Sequence, residues 1–233
     1  MVSGPQILGV NPPPDFPATL FEEIESKVKE LRRKGLLEKE NWSEFAQGWN
    51  GVGYRFLFLC DYDKDFSSVS RQTDHTELYK QNKALFSFFS SARSLFENYA
   101  YCLYFLGNGL RSSDFPTDDK SLKRVYFGAV ACKYSCLFPS EAVTNVLSSI
   151  ESSDYFEAIN EIRIEGFHRG NPSRKYYQGG DKNGQVELQA RGKTYRIDEN
   201  PTQDTRQQIA SDLEKLMCGT LAFIDDNFAY LAK

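Results

Sequence analysis

The chain predicts a mainly α fold: a helical bundle with a small β-hairpin inserted before the last helix. Two long stretches, roughly 74–106 and 201–231, carry apolar residues at helical spacing, and each is long enough to span a domain. A third stretch, 186–197, alternates apolar and polar residues around Arg191-Gly192, the pattern of a hairpin. With 233 residues, 18 Phe and 13 Tyr, the chain has the length and the bulk to bury one real core, so a single domain over 1–233 is expected.

The elements follow in order. Pro5, Pro12, Pro13, Pro14 and Pro17 make residues 1–17 an extended arm on the surface. Ala18 to Gly35 reads as the first helix, with Leu20, Ile24, Val28 and Leu31 on one face and charges on the other. Trp42 to Phe58 reads as a short helix, a break at Gly51-Val52-Gly53 and a second apolar piece ending near Cys60. Gly51-x-Gly53 lacks the third glycine and the lysine of a phosphate loop. Asp61 to Arg71 reads as a polar loop. The central helix is expected from Asp74, with Glu77 three residues on, to about Leu106, where Gly107-Asn108-Gly109 should stop it. A loop over 113–119 and two helices, 120–138 and 140–149, divided by Pro139, come next. Asp154 is placed as the N-cap of the following helix, which Gly170-Asn171-Pro172 ends. Residues 176–198 form the insertion. Asn200-Pro201 opens the last helix, with Ile209, Leu213, Leu216, Leu221, Ile224, Phe228 and Leu231 as its buried seam.

Charge and cysteines set bounds on function. A formal net charge of −4 confines any nucleic-acid surface to a local patch. Five cysteines, an odd number set in apolar helical runs, read as reduced core residues. Cys132 and Cys136 share a helix face, but no second pair or nearby histidine completes a zinc site, so no metal or cofactor is expected. Ala84 to Leu106 is long enough for a bilayer, yet Arg93, Glu97 and Asn98 interrupt it; a buried helix is expected, with no membrane association. No basic-then-apolar leader is read at the start, which sets the expectation of a cytoplasmic protein.

The chemistry concentrates in Glu161-Ile162-Arg163-Ile164-Glu165-Gly166-Phe167-His168-Arg169-Gly170 and the Arg174-Lys175 that follow. Phe156, Ile159, Ile162, Gly166 and Phe167 recur at helical spacing, and Arg163 sits beside that stripe. A guanidinium so placed needs a carboxylate, a phosphate or a second chain to meet it. His168 falls in the last turn, where the helix dipole and Glu165 favour its protonated form. Glu165-x-x-His168 is half of a di-iron carboxylate motif; its second half is missing, since Gln72 stands three residues before His75.

Arg163-x-x-x-x-His168, late in a helix of a helical chain, resembles the Arg-x(4–6)-His motif of the HEPN superfamily, whose members are helical bundles and include metal-independent endoribonucleases of toxin and defence systems. The position after the arginine is often polar in active members, and here it is Ile164. The resemblance implies an HEPN-like bundle and Arg163 and His168 as catalytic residues. It also implies a homodimer that composes the site, with RNA as substrate and an antitoxin or other protein as partner. Arg169, Arg174 and Lys175 are then expected to hold flanking phosphates without reading sequence. Glu97 is expected either to pair with Arg93 along its own helix or to cross the bundle and fix Arg163. The other function open to the same residues is a non-catalytic HEPN-like module that binds a partner protein or RNA.

Overall fold

The computed structural model describes residues 9–69, 75–168, 173–176, 186–190, 192–197 and 201–228. Among them are eight helices: α1 (Ala18–Arg33), α2 (Lys39–Val69), α3 (His75–Leu110), α4 (Asp119–Leu122), α5 (Phe127–Leu137), α6 (Ala142–Glu151), α7 (Asp154–His168) and α8 (Pro201–Phe228). Strands β1 (Ser173–Tyr176), β2 (Val186–Ala190) and β3 (Lys193–Ile197) lie between α7 and α8. The chain is mainly helical, and no described helix is long and apolar enough to cross a membrane.

Contacts group the chain into two units, Met1–Phe56 with Ser94–Ser152 and Ala210–Lys233, and Leu57–Arg93 with Ser153–Ile209. The first unit is built on aromatic rings. Trp49 of α2 stacks on Phe21 of α1 with centroids 4.6 Å apart, and its indole N–H donates to the Phe21 carbonyl at 3.2 Å. Phe16, just before α1, is buried against Phe21 and Phe56. A second cluster gathers Phe115, Tyr134, Phe138 and Phe223. The buried Thr220 hydroxyl donates to the Leu216 carbonyl, so Tyr99 must donate to Thr220 Oγ1, at 2.8 Å.

The second unit buries Phe66, Leu85, Phe88 and Phe89 with Phe156, Ile159 and Ile162 of α7. Gln81, fully buried, donates from Nε2 to the carbonyl of Val69, the last residue of α2, at 2.6 Å. Asp63 is 8 % exposed and accepts from Thr202 Oγ1 at 2.7 Å and from Arg206 Nε at 3.0 Å. Two contacts thus satisfy a carboxylate that would otherwise be costly to bury.

Several expectations are corrected. Helix α2 runs unbroken through Gly51-Val52-Gly53 and through the expected polar loop to Val69. The glycine serves a close approach: a Cβ at Gly51 would lie 2.5 Å from Asn98 Nδ2 of α3. Asp61–Val69 stays helical because Phe66 and Asp63 are both buried, the second with its own partners. Helix α3 likewise passes through Gly107-Asn108-Gly109 to Leu110, since the Phe115 ring lies against Gly107 where a Cβ would meet it at 2.6 Å. The expected helix over 120–138 is two, because Tyr126 is extended (φ −142°, ψ 163°) and starts α5 afresh.

In α1 it is Phe21, rather than Leu20, that joins Ile24, Val28 and Leu31 in the core. In α8 Leu221 is only half-buried, and Met217 and Phe223 fill the seam; Leu231 lies outside the described residues. Of the cysteines only Cys60 and Cys102 are core residues; Cys132, Cys136 and Cys218 are exposed. On α5 and α8 the buried face is carried by neighbours such as Val130, Tyr134 and Met217, which leaves those thiols on the outer side.

The alternating stretch forms β2 and β3, paired antiparallel with Val186 opposite Ile197 and Ala190 opposite Lys193. Gly192, at φ 81°, takes the left-handed conformation that a two-residue connection requires. A further strand, β1, pairs with β2 and gives the sheet order β1-β2-β3. Its single turn of sequence, Ser-Arg-Lys-Tyr, is too short to show an alternation of its own.

Candidate functional site: the motif helix and its sheet

Helix α7 begins at Asp154, and the cap is one residue earlier than expected. Ser153 receives both bonds of the first turn, at its Oγ from Phe156 N at 3.4 Å and at its carbonyl from Glu157 N at 3.1 Å. From there α7 runs without interruption to His168. Phe156, Ile159 and Ile162 are buried, and Arg163 and Ile164 are half-buried beside them. Arg163 therefore stands at the margin of the apolar stripe.

Arg93 of α3 meets α7 through Phe156, its guanidinium carbon 4.8 Å from the ring centroid. That contact is a cation–π pair and ties the start of α7 to α3. Glu97, one turn further along α3, sends Oε2 to the backbone N–H of Phe127 at 2.7 Å, the first residue of α5. Sequence spacing offers Arg93 or Arg163 as its partner and does not single out the start of α5. Glu97 belongs to the first unit and Arg163 to the second.

The sheet stands directly after α7, and β2 packs on that helix. Lys193 of β3 forms an ion pair with Glu157 of α7. Register sets Lys175 opposite Glu187 and Gln189 opposite Thr194. Lys175 is exposed on the edge strand, and the side chain of Arg174 lies outside the described residues.

Glu165 and His168 belong to the last turn of α7, with their side chains outside the described residues; Arg169 lies outside them altogether. The helix itself fixes one relation. Five positions at about 100° each set Arg163 and His168 roughly 140° apart around the axis. An ideal helix does not easily aim two positions so spaced at a single phosphate.

Two polar clusters escaped the sequence reading. One is Asp63 with Thr202 and Arg206, whose Nη1 also reaches Cys60 Sγ at 3.6 Å. The spacing Phe56-Leu59-Cys60-Asp63-Phe66 keeps a helical period through the supposed loop, which was the available signal. The other is the buried amide pair Asn41–Asn108, for which no local pattern exists.

No family model matches the chain, and neither a curated protein nor a solved structure matches it.

Proposed function

We propose that the protein is an HEPN-like, metal-independent endoribonuclease of the toxin or defence type, working in the cytoplasm as a homodimer with a composite site. The observation that supports it most is the continuity of α7 from Arg163 to His168, which holds the two groups about 140° apart. Two copies related by a two-fold axis offer two arginines and two histidines to one cleft, and that arrangement removes the angular conflict.

In the proposed reaction one His168 takes the proton of a ribose 2′-hydroxyl as its oxygen bonds to phosphorus. The bond from phosphorus to the 5′-oxygen breaks, and the second His168 gives that oxygen a proton. Arg163 sets a planar fork of donors against the non-bridging oxygens, where negative charge builds. Arg169, Arg174 and Lys175 hold the flanking backbone, and the exposure of Lys175 on its edge strand suits that role. Arg93, whose guanidinium lies on the Phe156 ring, and Glu165, on the same helix as Arg163, support the site.

The alternative is a non-catalytic HEPN-like module whose motif helix binds RNA or a partner protein such as an antitoxin. Half-buried Ile164, an apolar side chain next to Arg163, favours it.

Labelled single-stranded RNA incubated with purified protein in excess chelator, between acid and neutral pH, separates the two. Cleavage that is lost in His168→Ala and in Arg163→Ala supports the nuclease. Retention of intact RNA on a gel, with a mobility shift, supports the binding module instead.

A further inference from the structure

A cavity of about 410 Å³ opens at the C-terminal end of α3, in the first unit and apart from the motif helix. Its polarity can be derived bond by bond. The Phe115 carbonyl can only accept, so the amide nitrogen of Asn108 must face it, at 2.6 Å. That orientation turns Asn108 Oδ1 toward Asn41, whose Nδ2 donates to it. Asn41 is 5 % exposed and Asn108 9 %, so both amides are held in place. Asn41 lines the cavity, and its Oδ1 is an acceptor with no donor among the described residues.

The surrounding groups have the same character. At the end of α3 the N–H of Arg111 returns to Gly107, and those of Asp114 and Phe115 both go to the Arg111 carbonyl. The carbonyls of Asn108, Gly109 and Leu110 therefore receive no backbone bond among the described residues, and the helix dipole adds negative potential there. Exposed Glu38 is the acidic residue of the lining, which includes no lysine or arginine. The start of α2 is a positive helix end; Glu38 precedes it, and Lys39 and Glu40 are its first residues. Leu36 and Leu110 supply apolar wall between these polar points.

We infer that this cavity binds a small aliphatic amine cation, of the diamine or polyamine class. Ammonium groups donate to Asn41 Oδ1, to the carbonyls that end α3 and to the Glu38 carboxylate, while the methylene chain lies on Leu36 and Leu110. The volume is that of ordinary small-molecule sites. The inference is independent of the nuclease proposal, since none of its residues belongs to α7 or the sheet.

Calorimetric titration of the full chain with 1,4-diaminobutane tests it. Saturable binding is expected, with affinity falling about tenfold or more in Glu38→Gln, an exposed position whose change leaves the core intact. Asn41→Ser, checked for folding by circular dichroism, is expected to weaken binding by a similar factor. No saturable binding at millimolar diamine overturns the inference. So does equal affinity for neutral 1,4-butanediol, or diamine affinity unchanged in Glu38→Gln.

Discussion

Glu97 and Phe127, thirty residues apart, are joined by a 2.7 Å hydrogen bond from the Phe127 N–H to the Glu97 carboxylate. A side chain from the middle of α3 thereby does for α5 what its own preceding residue, Tyr126, does not: it satisfies an orphan N–H and sets negative charge at the positive helix end.

Glu97→Ala is expected to cost about 1–2 kcal/mol, the range of a lost N-terminal cap, and Glu97→Gln less because the amide oxygen still accepts. Urea unfolding followed by far-ultraviolet dichroism measures both. Equal stability of all three proteins would remove the capping role.

Asp63 and Arg206 form a nearly buried pair, with side chains 11 % and 19 % exposed. Removing one partner strands the other, so Asp63→Leu or Arg206→Met alone should destabilise by about 3 kcal/mol or more. The double variant is expected to recover much of that loss, because an apolar pair strands no charge. A double-mutant cycle in denaturant gives the coupling, and additive losses would contradict the arrangement.

Gly107 is read as a packing position. Its substitution by Ala forces the Phe115 ring to move and should cost about 1–3 kcal/mol. Pairing it with Phe115→Leu is expected to return part of the loss, whereas a loss set only by helix propensity would have the opposite sign, since Ala is the better helix former.

Alkaline pH should weaken the first unit. Burial pushes the Tyr99 and Tyr134 hydroxyls and the Cys102 thiol up from their ordinary values. The unfolded chain loses these protons first, so stability is complete below the ordinary thiol and phenol range and falls as pH rises through it. Melting temperature measured from neutral to alkaline pH should decline accordingly. With a thiol reagent at neutral pH, Cys132, Cys136 and Cys218 should react at once, and Cys60 and Cys102 only on unfolding.

The helices were legible where periodicity and punctuation agreed. The start of α1 and the start of α8 follow from amphipathic spacing together with Pro signals that tertiary contacts do not override. The sequence misled at Gly51 and Gly107. Local propensity reads a glycine as a stop, yet a neighbouring chain segment can require the missing side chain and keep the helix going. The same reason hid the helical end of α2, whose run of acidic residues looks like a solvated loop until Thr202 and Arg206 arrive from α8. Of the motif, the position of Arg163 beside the apolar stripe could be read from spacing, whereas the bond from Glu97 to α5 could not, because nothing local encodes a partner thirty residues away.

The chain has two tryptophans, Trp42 and Trp49. Trp49 is sealed between aromatic rings, and half-exposed Trp42 lies 5.8 Å from the Arg32 guanidinium. Both belong to the first unit. Intrinsic emission excited at the indole band is therefore a local gauge: it reports the melting of that unit, and the half carrying α7 is optically dark. An indole introduced at the exposed Tyr79 would give the dark half a signal of its own, so that the two transitions can be watched in the same tube.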